Sequence, residues 1–299
     1  MNIYGFGNAL IDIEFLISEE ELKEIDIPKG GMKNISSEKK EYLVSKFKDK
    51  EVSRTAGGST ANSLCAAIYH GATGNFSCSI GQDEDGKEFL RSLSGLKIFT
   101  KRSPKPTGTC LIFLTPDGER TMTSSLEANL DLSPKSLSKT NLKESNLLLF
   151  DSFSIESDSG FNTAMESIKI AKKNKVEICY GIADVSLVSL NFKKISWILS
   201  QKIDYIYGNK QEIQEVRSLF NLQDLNIITT FGSDGASIGN IRVDTESIDP
   251  ISTNGAGDAF IGAFIALKDK HNHKEALQIA VNYATELCKI NGPRIKNAT

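Results

Sequence analysis

The stretch Thr253-Asn254-Gly255-Ala256-Gly257-Asp258 runs directly into an apolar helical segment, Ala259-Phe260-Ile261-Gly262-Ala263-Phe264. A glycine-rich turn opening a helix presents unpaired backbone N–H groups. The helix dipole adds partial positive charge at the same place, so the pattern makes an anion site. Asp258 falls in the first helical turn, where the dipole favours its carboxylate. An anion cradle beside a carboxylate suits phosphoryl transfer. The amides hold developing negative charge, and the carboxylate accepts the proton of an attacking hydroxyl. An aspartate at a helix start also serves as a plain cap, so the motif gains meaning only in company.

Company is present. In Ala56-Gly57-Gly58-Ser59-Thr60-Ala61-Asn62 two glycines let a ligand approach the backbone, and Asn62 lies one turn into the following helix. In Gly7-Asn8-Ala9-Leu10-Ile11-Asp12, Asn8 and Asp12 follow the first strand and suit a grip on vicinal hydroxyls. Asn209 and Glu212 open a helix three residues apart, on one face. They can cap that helix or order the water shell of a magnesium ion. Thr230-Phe231-Gly232-Ser233-Asp234-Gly235 is another post-strand glycine turn suited to nucleotide phosphate or ribose. Two patterns fail. Gly5-Phe6-Gly7 lacks the third glycine of a dinucleotide fingerprint, because position 10 is Leu10. Gly81–Glu88 approximates a phosphate-binding loop, but Glu88 replaces the magnesium-binding hydroxyl and three acids would repel a polyphosphate.

These residues need elements to position them. Short apolar strands at Asn2–Phe6, Phe76–Ile80, Leu147–Phe150, Val176–Cys179, Ile203–Tyr207 and Ile227–Thr230 alternate with helical stretches. The helices are expected at Ser59–His70 (with Ser59 or Thr60 as N-cap), Gly86–Leu93, Gly160–Lys173, Gln211–Phe220, Ala259–Leu267 and Glu275–Ile290. Such alternation implies a mainly parallel sheet with helices on both faces. Two stretches break the rhythm, from Leu10 to about Thr55 and from Lys97 to Ser125, the second holding two strands around Thr115-Pro116-Asp117-Gly118. They are expected to pair into a small antiparallel sheet that acts as a lid. The expected division is thus a large α/β nucleotide-binding and catalytic unit from 1–9, 56–96 and 126–299, with a β lid from 10–55 and 97–125.

Composition sets the frame. The chain has 299 residues, with 35 Lys+Arg against 38 Asp+Glu and a formal net charge of −3. That balance argues against nucleic acid or an anionic membrane as the main partner. Apolar runs such as Leu147–Phe150 are too short to span a bilayer. Five cysteines without a C-x-x-C pair and only three histidines leave few candidates for zinc or a disulfide framework. With no signal peptide visible, a cytoplasmic setting is expected.

Taken in order, these motifs resemble the ribokinase-like (PfkB-type) carbohydrate kinase family from Gly7 to Pro293, and several segments are similar to its adenosine-kinase branch. Those segments are Gly7–Ile13, Ala56–Thr60, Pro106–Cys110 and Thr253–Asp258, with Lys29–Met32, Pro116–Arg120, Tyr283 and Gly292–Arg294 similar to bacterial members. The resemblance implies a three-layer α/β/α fold with a mainly parallel central sheet plus a small β lid. It implies ATP, Mg²⁺ and transfer of the γ-phosphoryl group to a sugar's primary hydroxyl. Carried over residue by residue, Asp258 is the base, and Gly255, Ala256 and Gly257 form the anion hole. Asn8, Asp12, Gly57, Gly58 and Asn62 hold the sugar, and Arg120 reaches the phosphates. Asn209, Thr230, Gly232, Gly235, Asn254 and Asn282 line the ATP site, with Glu212 and Asn209 on Mg²⁺ through water. Ser252 stands where the family's motif carries an aspartate resembling a K⁺ ligand. Phe153 and Ser154 occupy the neighbourhood of a base-stacking aromatic residue.

The expected function is an adenosine or related ribosyl kinase with a small-molecule sugar or nucleoside substrate. A ribokinase- or fructokinase-type sugar kinase and a weakly active nucleoside-binding regulator stand as alternatives. A monomer and a dimer joined through exposed lid strands are both compatible with the pattern.

Overall fold

The computed structural model describes residues 1–223 and 225–295. Nine strands form one sheet and five a second. The large sheet runs β14 (Ile241–Val243), β13 (Ala236–Ile238), β12 (Asn226–Thr230), β11 (Tyr205–Asn209), β10 (Glu177–Gly181), β9 (Leu147–Asp151), β1 (Asn2–Phe6), β5 (Thr73–Ile80) and β6 (Leu96–Arg102). It is parallel from β12 to β6, with an antiparallel β13–β14 edge. The second sheet runs β3 (Met32–Asn34), β8 (Arg120–Ser125), β7 (Gly108–Leu114), β2 (Leu10–Leu16) and β4 (Glu51–Ala56).

Helices cover both faces of the large sheet because its inner strands are apolar on both sides. On β1, Ile3 packs into one layer, with Leu64, Ile261 and Phe264 of the helices Ser59–Tyr69 and Ala256–Leu267. Tyr4 and Phe6 point the other way, into a layer with Ile168 and Ile198 of the helices Asp158–Asn174 and Phe192–Ser200. No helix among the described residues is long and apolar enough to cross a membrane.

Two details differ from the sequence expectation. Residues 97–102 do not join the lid: β6 pairs along its whole length with β5 at the edge of the large sheet. Its partly exposed pattern, with Lys97, Lys101 and Arg102, suits an edge strand. The lid sheet is mixed rather than antiparallel, since β2–β7 and β3–β8 are parallel while β2–β4 and β7–β8 are antiparallel. The reason lies in the connections. β2 follows β1 and β7 follows β6; both leave the same end of parallel strands, so they enter the second sheet in the same direction.

The two helices Ser59–Tyr69 and Ala256–Leu267 lie almost backbone to backbone. A Cβ on Gly262 would sit 1.9 Å from the Ser63 carbonyl oxygen, so only glycine permits this approach. That contact sets the first turns of both helices, and therefore Asn62 and Asp258, side by side.

Candidate active site

Strand order reverses between β1 and β9: β5 and β6 lie on one side, β10 to β12 on the other. Open α/β sheets hold ligands beyond the carboxyl ends of strands at such a reversal. A cavity of about 440 Å³ lies there. Asn8 after β1, Asp151 and Phe153 at the end of β9, Ala183 after β10, Asn209 at the end of β11 and Thr230 at the end of β12 all line it. Lid residues Leu10, Asp12, Met32, Ile112 and Met122 form its opposite wall. A second cavity of about 280 Å³ is lined by Thr230, Gly232, Gly235, Thr245, Ala256 and Gly257 among others. Gly232, Gly257, Thr230 and Phe260 line both cavities, so the two adjoin.

Asp258 stands at that junction. Ser59 Oγ donates to its Oδ1 at 2.5 Å, and Asn62 Nδ2 donates to Oδ2 at 2.9 Å. Burial lifts its pKa to about 6, these two bonds hold it down, and the neighbouring Asp151 lifts it further. The hydroxyls expected as helix caps are thus spent on carboxylates: Ser59 on Asp258 and Thr60 on Asp151, at 2.7 Å. The Ser59–Tyr69 helix starts after Gly58 without a side-chain cap.

Gly255 precedes the Ala256–Leu267 helix with φ +75°, and a Cβ there would meet Pro293 O at 2.7 Å. Among the described residues the N–H groups of Gly255, Gly257 and Asp258 have no protein acceptor. That of Ala256 does, donating to Thr253 O at 3.3 Å, so the open amides are not the trio read from the sequence. Gly257 faces open space, with no atom within 4 Å of where its Cβ would be.

Asn8, Asp12, Gly58 and Asn62 share the larger cavity with Asp258. Asn8 Nδ2 donates to Phe153 O at 3.1 Å. Asp12 is 7% exposed, and burial raises its pKa to about 7 against the pull of Asn254 and Arg294. Asn254 Nδ2 is buried without a hydrogen-bond partner, close enough to Asp12 to favour its charge. Gly57 lines neither cavity; its carbonyl accepts from Arg294 Nη2 at 3.0 Å. Phe153 lines the cavity, while Ser154 turns away, its N–H and Oγ donating to Asp151 Oδ1 and O. Arg120 lies outside the lining and donates to Ser252 Oγ at 2.8 Å. Ser252 is buried, and this bond joins the second sheet to the loop before the Ala256–Leu267 helix.

Asn209 and Glu212 form a reciprocal cap. Asn209 N and Nδ2 donate to Glu212 Oε2 and Oε1 at 2.9 and 2.6 Å, and Glu212 N donates to Asn209 Oδ1 at 2.9 Å. Both also line the larger cavity, and burial lifts the Glu212 pKa to about 7. No group of three or more His, Cys, Asp or Glu able to hold a metal exists among the described residues. A Mg²⁺ that keeps its waters and binds through phosphates would need no such group, and Asn209 and Glu212 are the residues here that would hold its waters. Thr230, Gly232 and Gly235 line the smaller cavity. Asn282 does not: it is exposed on the helix His273–Leu287, where it accepts from Gln278, and Val281, Ala284 and Thr285 face the cavity instead.

Several site residues had no local signal in the sequence. Arg294, 232 positions from Asn62, donates Nε to Asn62 Oδ1 at 2.8 Å. Asp151 and Glu156 line the larger cavity. A carboxylate at the end of a buried strand was the available signal for Asp151. Gly292–Arg294 stood out only as a segment resembling bacterial members, with no role attached to Arg294, and nothing local marked Glu156.

The model of the pfkB family carbohydrate kinase matches residues 25–299. Adenosine kinase 2 of Arabidopsis thaliana is 24% identical, covering 95% of this chain and 92% of that protein. Adenosine kinase of Schizosaccharomyces pombe is 26% identical over 88% of this chain and 87% of its own length. The crystal structure of adenosine kinase from Sinorhizobium meliloti superposes with a TM-score of 0.90 at 23% identity, covering 98% of this chain and 95% of the other. The fold is ribokinase-like, and the chain belongs to the pfkB family of carbohydrate kinases, ATP-using phosphotransferases that act on a sugar or nucleoside hydroxyl.

Proposed function

We propose that this protein transfers the γ-phosphoryl group of ATP to the primary hydroxyl of a ribonucleoside, with adenosine or a close relative as acceptor. One observation carries the reading. An acceptor cavity and a nucleotide-sized cavity meet at Gly257, where Asp258 and three uncommitted amides converge.

The ribosyl unit lies against Asn8, Asp12 and Asn62, with its primary hydroxyl on Asp258. Asp258 takes the hydroxyl proton as the oxygen attacks the γ-phosphorus. The bond to the β-phosphate oxygen breaks, and ADP leaves with its electron pair. The N–H groups of Gly255, Gly257 and Asp258 hold the charge on the transferring group, reinforced by the helix dipole. Glu212 with Asn209 would hold the waters of a bound Mg²⁺, which would neutralise phosphate charge. Arg120 fastens the lid to the anion loop through Ser252, which brings no charge for a monovalent cation. The closed lid excludes water and so suppresses ATP hydrolysis. Phe153, an aromatic residue in the lining, suits stacking on a flat base, a feature a free pentose or hexose would not use.

The test is ATP consumption with and without a panel of nucleosides, ribose, deoxyribose and fructose. Adenosine is expected to give the highest kcat/KM. Turnover on a free sugar with none on any nucleoside would overturn the reading.

A further inference from the structure

At its outer end the larger cavity changes character. Leu10, Met32, Ile112, Met122, Leu126 and Phe153 make the walls apolar. Two polar groups interrupt them. Glu156, after β9, receives Asn34 Nδ2 on Oε2 at 2.6 Å. Its Oε1 accepts no hydrogen bond from any described residue. Ser124, on β8, is 1% exposed, and its hydroxyl has no hydrogen-bond partner. Asn34 and Ser124 are register partners on β3 and β8, so the lid strand that touches Glu156 also carries the serine's neighbour.

Glu156 is only partly buried, and the oxygen that Asn34 leaves free is open to a ligand in the cavity. Burial already pushes the Glu156 pKa to about 7, with Asp151 and Asp184 lifting it and Asn34 and Lys194 opposing them. A plain sugar, anchored at Asn8, Asp12 and Asn62, has no group that extends to this end. A glycosidic base would fill it, with one ring face on Phe153 and its edge toward Glu156.

Resting on the nucleoside reading above, we infer that Glu156 is a specificity-determining residue whose Oε1 accepts an N–H from the edge of the acceptor's base. The acceptor class is therefore ribonucleosides with an N–H donor on that edge, such as an exocyclic amine. Ser124 supplies the second polar contact, toward a ring nitrogen or oxygen beside it.

The experiment measures kcat/KM with ATP for adenosine, N6,N6-dimethyladenosine, purine riboside and ribose, in the wild-type protein and in Glu156→Leu and Glu156→Gln. In the wild type adenosine should exceed the two donor-free nucleosides by about tenfold or more, the worth of a hydrogen bond to a charged group. In Glu156→Leu that ratio should shrink to about twofold or less through KM, while Glu156→Gln, which keeps an acceptor oxygen, retains part of it. The wild-type comparison stands even where a variant fails to fold. Nucleosides phosphorylated with no preference for the N–H, or a preference unchanged in Glu156→Leu, would overturn this assignment alone. Turnover of ribose with none of any nucleoside would overturn the nucleoside reading as well.

Discussion

Arg294 Nε donates to Asn62 Oδ1 at 2.8 Å, and this decides which way the Asn62 amide faces. With Oδ1 turned to the guanidinium, Nδ2 points at Asp258 Oδ2, 2.9 Å away. The guanidinium is itself fixed by Gly57 O and by Ser92 Oγ, at 3.0 and 2.8 Å. A residue near the end of the chain thus orients a side chain that holds the carboxylate at the centre of the site.

Arg294→Ala frees the Asn62 amide to flip, which would set its oxygen against the Asp258 carboxylate. A hydrogen bond to a charged group is worth about 1.5–3 kcal/mol, so kcat/KM should fall about 10- to 100-fold. Arg294→Lys should recover little, because one ammonium cannot satisfy Asn62, Gly57 and Ser92 in the fork's geometry. Steady-state kinetics on the acceptor identified by the panel, with circular dichroism to confirm folding, checks this. Unchanged kcat/KM in Arg294→Ala would remove the orienting role.

Asp258→Asn keeps the shape and the bonds to Ser59 and Asn62 within reach but removes the proton acceptor. Turnover should drop about 10²- to 10⁴-fold, the usual contribution of a positioned general base. ATP binding, measured by calorimetry, should persist because the smaller cavity remains intact. The wild-type kcat/KM should have an acid limb. A base with a pKa of about 6 is lost as pH falls through that value. Near-normal turnover of the variant would exclude Asp258 as the base.

The sequence made most of the frame legible, for local reasons. The Ala256–Leu267 helix and its glycine turn carry their own signal, and so do the apolar strands at Asn2–Phe6 and Leu147–Asp151. What escaped depends on distant partners. Ser59 looks like a helix cap by type and position, yet its hydroxyl bonds Asp258, 199 residues away. β6 reads as part of the lid stretch from Lys97 to Ser125 until its pairing with β5 is known. Asn282 sits on the right helix but one position off the face that meets the cavity, an error that a period of 3.6 makes easy. Ala256 looked like one of three equivalent amides, and only the turn geometry commits its N–H to Thr253.

Gly262→Ala tests the helix contact that sets the site's spacing. A Cβ 1.9 Å from Ser63 O has a backbone neighbour and nowhere to go. The helices must separate, at a cost of about 1–3 kcal/mol, which lowers Tm by roughly 3–10 °C. Because Asn62 and Asp258 move apart with them, kcat should fall in the protein that remains folded. Differential scanning calorimetry and kinetics below the transition would report both effects, and a Tm equal to the wild type would refute the tight contact.

The pH dependence of stability follows from carboxylates crowded into one cleft. Burial raises the folded-state pKa of Asp12, Glu156 and Glu212 to about 7 and of Asp258 to about 6, from unfolded values of 3.8 for aspartate and 4.5 for glutamate. Between about pH 4.5 and 7 the folded chain therefore binds more protons than the unfolded chain, and its stability declines as pH rises. Carboxylates with lowered pKa, such as Asp83, Asp131 and Glu127, have gained their stabilisation by pH 5 and are flat across this window. His70, with its pKa lowered by burial, works the other way but is outnumbered, since burial raises Asp151 as well as these four. The ligand-free protein should thus have a lower denaturant midpoint at pH 7.5 than at pH 5.5. Glu212→Gln and Glu156→Gln, each removing one of these titrations, should flatten the slope, and a midpoint that rises with pH across this window would contradict the buried cluster.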